Sequence, residues 1–343
     1  MKILAIETSC DETACAVVED GVKELASVVA SSKELHEATG GVVPEVASRK
    51  QMEFMMPVLE KTVEDYRQKM GFEGREQVVE SIDALAVTVG PGLIGSLVVG
   101  VTTAKALALA WEKPLIPVNH LIGHIYANFV DSQKKVEFPA VCLLVSGGHT
   151  DLVLMRGHGE FEYLGGTLDD AAGECFDKVA RMMGISKYLG GQLLSEKAAG
   201  CEKAFPDKLF PRPMIFSDDY DFSFSGLKTA VKRYIDGGER DIPCTAREFE
   251  EAVVDVLAVK TMKAVKNFRV KSLLIGGGVS ANRRLRERLR EEAEKVGVFL
   301  HLPPPRLCTD NAVYIASSAY FNNKKVKLQD IKADPSLGIM GRL

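Results

Sequence analysis

Two histidines four residues apart, His120 and His124 in "PVNHLIGH", put both imidazoles on one face of a helix, a spacing that suits two ligands of one cation. A thermolysin-like zinc peptidase needs HExxH, in which the glutamate beside the first histidine activates the metal-bound water. Leu121 stands at that position and the intervening "LIG" offers no base, so a metalloprotease is disfavoured. A cation here still needs a third ligand. The best candidate is Asp310 in "PPPRLCTDNA", a carboxylate at a helix start behind a proline-stiffened loop. Two helix-face histidines without a metal remain the alternative at this stage.

Glycine loops form the second chemical signal. "LLVSGGHT" and "LLIGGGVSAN" each follow a short apolar strand, and glycine lets backbone N–H groups approach phosphate oxygens with no Cβ in the way. The second runs into Ser280, Ala281 and Asn282, a helix start whose free N–H groups favour an anion or a nucleotide. Neither is a P-loop or a GxGxxG fingerprint, and each alone reads as a tight turn. Together with "ETSCDET", which adds Ser9, Asp11, Glu12 and Thr13, they favour a nucleotide cleft. His149 lies inside a glycine loop, where it can touch a phosphate or a transferred group. "LDDAAGECFDKVARMMG" puts Asp169, Asp170, Glu174 and Asp177 on a helix, mostly as a solvated or N-terminal acidic face, with Asp177 able to reach a ribose hydroxyl. The five arginines of "RRLRERLR" read as a solvated face balanced by glutamates, and His36, His158 and His301 as surface or packing residues.

Apolar β-rich runs alternate with helical stretches at 46–70, 96–111, 171–183, 248–268, 281–296 and 311–325, which means α/β. A strand–loop–strand pattern recurs: Ile3–Ile6, "ETSCDET" and Ala14–Val18 are echoed by Val141–Val145, "SGGHTD" and Leu152–Met155. The repeat suggests two duplicated lobes whose loops share a cleft, joined at 129–139. The first lobe is expected over 1–133, the second over 137–317, with a C-terminal helix at about 318–343 packing back on the first.

The chain has 343 residues, 46% hydrophobic and 26% charged, enough for two cores. A net charge of -4 gives no global attraction to nucleic acid, so such a role needs a local patch or a partner. Seven scattered cysteines without a CxxC argue against a disulfide framework and for buried fillers in a reducing compartment. With no signal-like N-terminus and no run approaching the roughly 18 apolar residues of a membrane span, a cytoplasmic location is expected.

Ordered blocks along the whole chain resemble the TsaD (Gcp) family, the bacterial enzymes that make N6-threonylcarbamoyladenosine (t6A) in tRNA. They include "ILAIETSCDETACAVV", "GGVVPEVASR", "TVGPGLIGSLVVGVTTAKALA", "PVNHLIGHIYA", "LLVSGGHTDLVLM", "LDDAAGECFDKVAR", "FPRPM", "DFSFSGLKTAV", "GGGVSANRRLR" and "CTDNAVYIA". The resemblance implies the two-lobed actin-like ATPase fold of sugar kinases, Hsp70 and actin. It implies a single divalent metal, iron or zinc, on His120, His124 and Asp310. It assigns Leu144, Val145, Ser146, Gly147, Gly148, Asp177, Gly191, Ser195 and Asn282 to threonylcarbamoyl-AMP and adenine nucleotides such as ATP or ADP, and puts Glu12 and His149 near the transferred carbonyl. The implied reaction carries the threonylcarbamoyl group to N6 of adenosine 37 in tRNAs reading codons that start with A. The implied partners are a TsaB-type paralogue in a heterodimer, a TsaE-type ATPase and a TsaC-type enzyme supplying the adenylate. An actin-like ATPase that controls partner assembly is the competing reading. Leu189 and Gln192 stand where the family has prolines, so Gly190 rivals Gly191, and Gln51 stands where it has histidine.

Overall fold

The computed structural model describes residues 1–35, 41–202, 208–238, 241–324 and 326–341, so His36 and Lys325 lie outside the described residues. The chain divides into two units, Met1–Lys135 with Pro303–Leu343, and Val136–Leu302. The division falls inside the expected joint at 129–139. Residues 303–317, expected in the second lobe, belong to the first unit.

In the first unit, β1 (Lys2–Glu7), β2 (Glu12–Glu19), β3 (Lys23–Ser31), β4 (Ala84–Gly90) and β5 (Leu115–Asn119) form one sheet in the order β3-β2-β1-β4-β5. β1 runs antiparallel to β2 and parallel to β4. Successive side chains of a strand point to opposite faces, and here both faces are apolar. Leu4, Ile6, Cys15 and Val17 enter one core with residues of α1 (Pro44–Met70) and α3 (Ile94–Trp111). Ile3, Ala5, Ala14 and Ala16 enter another with Ala312, Val313, Ile315 and Ala316 of α10 (Ala312–Phe321). The smaller α2 (Arg75–Ser81) precedes β4, and α4 (His120–Tyr126) follows β5 directly.

Among the described residues, α3 has the length and composition to cross a membrane. Ser96, Thr102, Thr103 and Lys105 interrupt its apolar run, and Leu97, Val101, Ala104 and Ala108 are buried on the protein side. The expected helix at 318–343 is not formed: α10 ends at Phe321, and the later described residues are turns, coil and a 3-10 turn at Leu328–Asp330.

The second unit repeats the plan. β6 (Ala140–Val145), β7 (Thr150–Gly157), β8 (Glu160–Gly166), β9 (Ser272–Gly276) and β10 (Phe299–His301) pair in the order β10-β9-β6-β7-β8. Read from the other edge, this is the first sheet again, with a hairpin at the start and the first strand parallel to the fourth. The duplicated strand–loop–strand signal is therefore real. Its helices are α5 (Ala172–Met182), α6 (Gly191–Ala199), α7 (Ser225–Asp236), α8 (Ile242–Asn267) and α9 (Arg283–Val296). Asp169 and Asp170 precede α5 rather than riding on it. Asp169 accepts the N–H groups of Phe224 and Ser225, and Asp170 pairs with Lys178 and Lys228, because both sit in the turn facing the start of α7. Of the arginines of α9, Arg283 pairs with Glu287 on the same helix as expected, whereas Arg284 pairs with Glu251 of α8. Cys201 and Cys244 form a disulfide, against the expectation of no disulfide framework; Cys15, Cys142, Cys175 and Cys308 are buried thiols, as most were expected to be.

Candidate functional site

The first unit builds a cation-sized cluster from two asparagine-capped helices. Asn119 Oδ1 accepts the N–H groups of Leu121 (2.9 Å) and Ile122, which starts α4 at His120 and puts His120 and His124 on one face. Asn311 Oδ1 does the same for Val313 and Tyr314, which starts α10 beside Asp310. Gly123, between the histidines, sets how close the helices come. A Cβ there would lie 2.8 Å from atoms of Tyr314 and Ile315, so only glycine admits α10 at this distance.

Asp310 Oδ1 consequently lies 3.6 Å from His120 Nε2 and 3.4 Å from His124 Nε2. Two ligands each about 2.1 Å from one cation at a tetrahedral angle stand about 3.4 Å apart, so the donor set fits a metal ion. Among the described residues these three form the one group of His, Cys, Asp or Glu so disposed. The other ring nitrogen of His120 is held from behind: Nδ1 lies 3.2 Å from Glu7 Oε2 and 3.2 Å from Ser9 Oγ. Glu7 is fully buried and also accepts from Thr88 Oγ1. A carboxylate behind a histidine fixes the tautomer that presents Nε2 to a metal.

Electrostatics agree with this grouping. Burial draws the His120 imidazole down, but Asp310 and Glu7 outweigh it and leave it at about 9. Burial lowers His124 below its ordinary value. Burial would raise Asp310, yet the two imidazoles hold it below the usual carboxylate range. Glu12, at the start of β2, is lifted well above that range by burial and then by Asp310 and Asp11, against the pull of Lys33, whose Nζ is 2.8 Å away. Buried Gln51 donates from Nε2 to the backbone oxygens of Cys10 (2.6 Å) and Glu12 (3.1 Å), so it braces the loop that carries Glu12.

The second unit gathers the glycine-loop residues. Leu144 and Val145 lie in β6, buried and paired with Asp151 and Thr150, so only Ser146, Gly147 and Gly148 form open loop. Ser146 N–H donates to the His149 carbonyl (2.8 Å) and His149 N–H to Ser146 Oγ (3.1 Å), which closes the turn. Gly277, at φ +86°, passes so close that a Cβ would sit 2.4 Å from the Val145 carbonyl. Asp177 on α5 accepts the Gly191 N–H (3.0 Å). Gly190 is needed for another reason, since a Cβ there would strike Ala180. Ser195 Oγ–H donates to the Gly191 carbonyl (3.1 Å), and Asn282 Nδ2 donates to Ser195 Oγ (3.0 Å). Asn282 Oδ1 accepts the Leu285 N–H and caps α9 (2.8 Å). Asp177, Gly191, Ser195 and Asn282 thus form one hydrogen-bonded line. Glu12 and the metal cluster belong to the first unit, His149 and this line to the second.

Sequence reasoning missed Glu7 and Tyr314, whose hydroxyl lies 3.4 Å from Asp310 Oδ1, and gave Ser9 to the nucleotide rather than to His120. Glu7 had a usable signal, an acid ending an otherwise apolar strand. Ser9 is 111 positions from His120, and Tyr314 packs on His124 from another helix, so neither contact shows in the sequence.

A sheet of one strand order repeated in two units is the α/β actin-like ATPase fold. Solved structures agree on the fold. HypF in its phosphate- and nucleotide-bound form superposes with a TM-score of 0.60 at 14% identity, over 93% of this chain and 46% of that one. Component A of the Acidaminococcus fermentans (R)-2-hydroxyglutaryl-CoA dehydratase superposes at 0.51 with 15% identity, over 92% and 96%. The family model for tRNA N6-adenosine threonylcarbamoyltransferase (TsaD) matches residues 23–317. Enzymes of that name from Thermomicrobium roseum and Dehalococcoides mccartyi are 46% and 48% identical, covering 100% and 99% of this chain and 96% and 99% of their own. The chain belongs to the tRNA N6-adenosine threonylcarbamoyltransferase family.

Proposed function

We infer that this chain is the transferase that forms t6A, moving threonylcarbamoyl from its adenylate to N6 of adenosine 37 in tRNAs that read codons starting with A. The observation that carries the reading is the near full-length match to enzymes of that name. The His120–His124–Asp310 cluster and the glycine turns supply the chemistry it needs.

The exocyclic amine attacks the carbonyl of a mixed anhydride, a C–N bond forms, the C–O bond to phosphate breaks, AMP leaves and N6 loses a proton. Placement of two large substrates and stabilisation of developing charge are the main demands. Ser146, Gly147 and Gly148 present a turn without bulky side chains to the phosphate. Asp177, Gly191, Ser195 and Asn282 hold the nucleoside. Glu12 and His149 are assigned to the transferred group. Burial, Asp310 and Asp11 raise the proton affinity of Glu12, against Lys33 at 2.8 Å. His120, His124 and Asp310 would hold one divalent ion, iron or zinc, which when bound supplies Lewis-acid polarisation and a template. Leu121 in place of a base suits an enzyme in which activated water would destroy the donor.

With a net charge of -4, tRNA capture is assigned to the assembly with a TsaB-type paralogue and a TsaE-type ATPase, with a TsaC-type enzyme supplying the adenylate. Incubating the chain with tRNA, threonylcarbamoyl-AMP and those partners, then digesting the tRNA to nucleosides, should yield t6A. Nucleotide turnover without t6A in any combination would favour the assembly-controlling ATPase instead.

A further inference from the structure

The hydrogen-bonded line in the second unit ends on a residue outside the set assigned above. Glu250 lies on α8, 7% exposed, and its Oε1 accepts from Asn282 Nδ2 at 2.7 Å. A carboxamide has one acceptor oxygen and two N–H donors, and in Asn282 all three are engaged: Oδ1 with Leu285 N–H, Nδ2 with Ser195 Oγ and Glu250 Oε1. The bond to Glu250 is the charge-assisted member, and such bonds are about twice as strong as neutral ones. It also settles which end of the amide is nitrogen, because a carboxylate cannot donate. Ser195 in turn is bonded to Gly191, and Gly191 to Asp177. Elements α5, α6, α8 and the start of α9 therefore meet through one half-buried polar chain, whose far end is the buried carboxylate.

We propose that Glu250 is a positioning residue of the adenine-nucleotide site: it fixes the Asn282 carboxamide, and through it Ser195, in the orientation that meets the ligand. The proposal rests on the nucleotide reading of Asn282 and Ser195 and adds the group that aims them. Burial raises the proton affinity of the Glu250 carboxyl, while Ser195 and Asn282 act in the opposite sense, as does Arg284 against Glu251. The hydrogen bond from Asn282 favours the ionised acceptor, against the larger effect of burial.

The test is ADP binding by calorimetry on the full chain, with melting temperature measured alongside. Glu250→Ala is expected to weaken ADP about tenfold. Glu250→Asp, which keeps the charge and loses the reach, should weaken it at least about threefold with the melting temperature held within a few degrees. Glu250→Gln, which retains an acceptor oxygen of the same reach, should restore most of the affinity. In an Asn282→Ala background Glu250→Ala should have no further effect on ADP. Wild-type affinity in both Glu250→Ala and Glu250→Asp, or losses that simply add to that of Asn282→Ala, would overturn the proposal. Failure of the wild-type chain to bind ADP would instead overturn the nucleotide reading. The side-chain amide signal of Asn282 in NMR spectra then judges Glu250 alone: it should move in Glu250→Asp, and an unmoved signal would overturn the positioning role.

Discussion

At the scale of single residues, the direction of one imidazole ring rests on a carboxylate far away in the chain. Glu7 and His120 are 113 positions apart, yet 3.2 Å separates Oε2 from Nδ1. Alanine at His120, His124 or Asp310 should abolish bound iron or zinc in elemental analysis, and metal surviving all three single changes would refute the ligand set. Glu7→Gln should keep the fold and weaken metal binding by about 10–100-fold in chelator competition. The cluster of His120, His124 and Asp310 was legible in the sequence because a helix makes an i, i+4 pair readable and a proline-stiffened loop isolates Asp310. Glu7 and Glu250 were not, since their roles depend on partners that only the folded sheet and helices bring near. Asp151 offers a pH test. Burial lifts its carboxyl to about 6, only partly opposed by the Tyr163 hydroxyl, whereas unfolded it titrates near ~3.9. The native chain binds more protons between those values, so this group's contribution to stability falls as pH rises through the window and levels off above it. Asp151→Asn should flatten that part of the melting-temperature profile; an unchanged profile would refute the assignment.

At the scale of elements, packing distances and covalent links set stability. Gly123→Val pushes α4 away from Tyr314 and Ile315, and overpacking of this kind costs roughly 1–3 kcal/mol. A lower melting temperature and weakened metal binding should appear together, because the same displacement moves Asp310. The Cys201–Cys244 disulfide joins the end of α6 to the first turn of α8 across 43 positions, for which loop closure predicts up to about 4 kcal/mol. Cys244→Ser and reductant should lower the melting temperature alike, and a melt indifferent to both would refute a stabilising link. Most helices were legible from period, but α8 starts at Ile242 rather than 248. Its first turn holds Pro243 and is capped by Asp241, a combination that reads as loop although proline is tolerated at a helix start. The pairing of Cys201 with Cys244 was illegible for a different reason, because spacing says nothing about which helix ends meet.

At the scale of the whole molecule, the two units differ in how the chain enters them. The core around Leu143, Phe249 and Ile275 lies wholly within Val136–Leu302, an unbroken stretch. The cores of the other unit need Leu307, Tyr314, Ile331 and Leu337 from the chain's last part. A fragment of residues 136–302 should therefore melt cooperatively by itself. Residues 1–135 should do so only when 303–343 are supplied, and a cooperative melt of 1–135 alone would refute this division. The same discontinuity has a consequence during synthesis. With two candidate ligands at 120 and 124 and the third at 310, the whole of Val136–Leu302 is synthesised between them, and that unit has had time to fold before Asp310 emerges. The nascent protein cannot close this set before Asp310 emerges, so a metal ion held by all three residues would load only after the middle unit has been made.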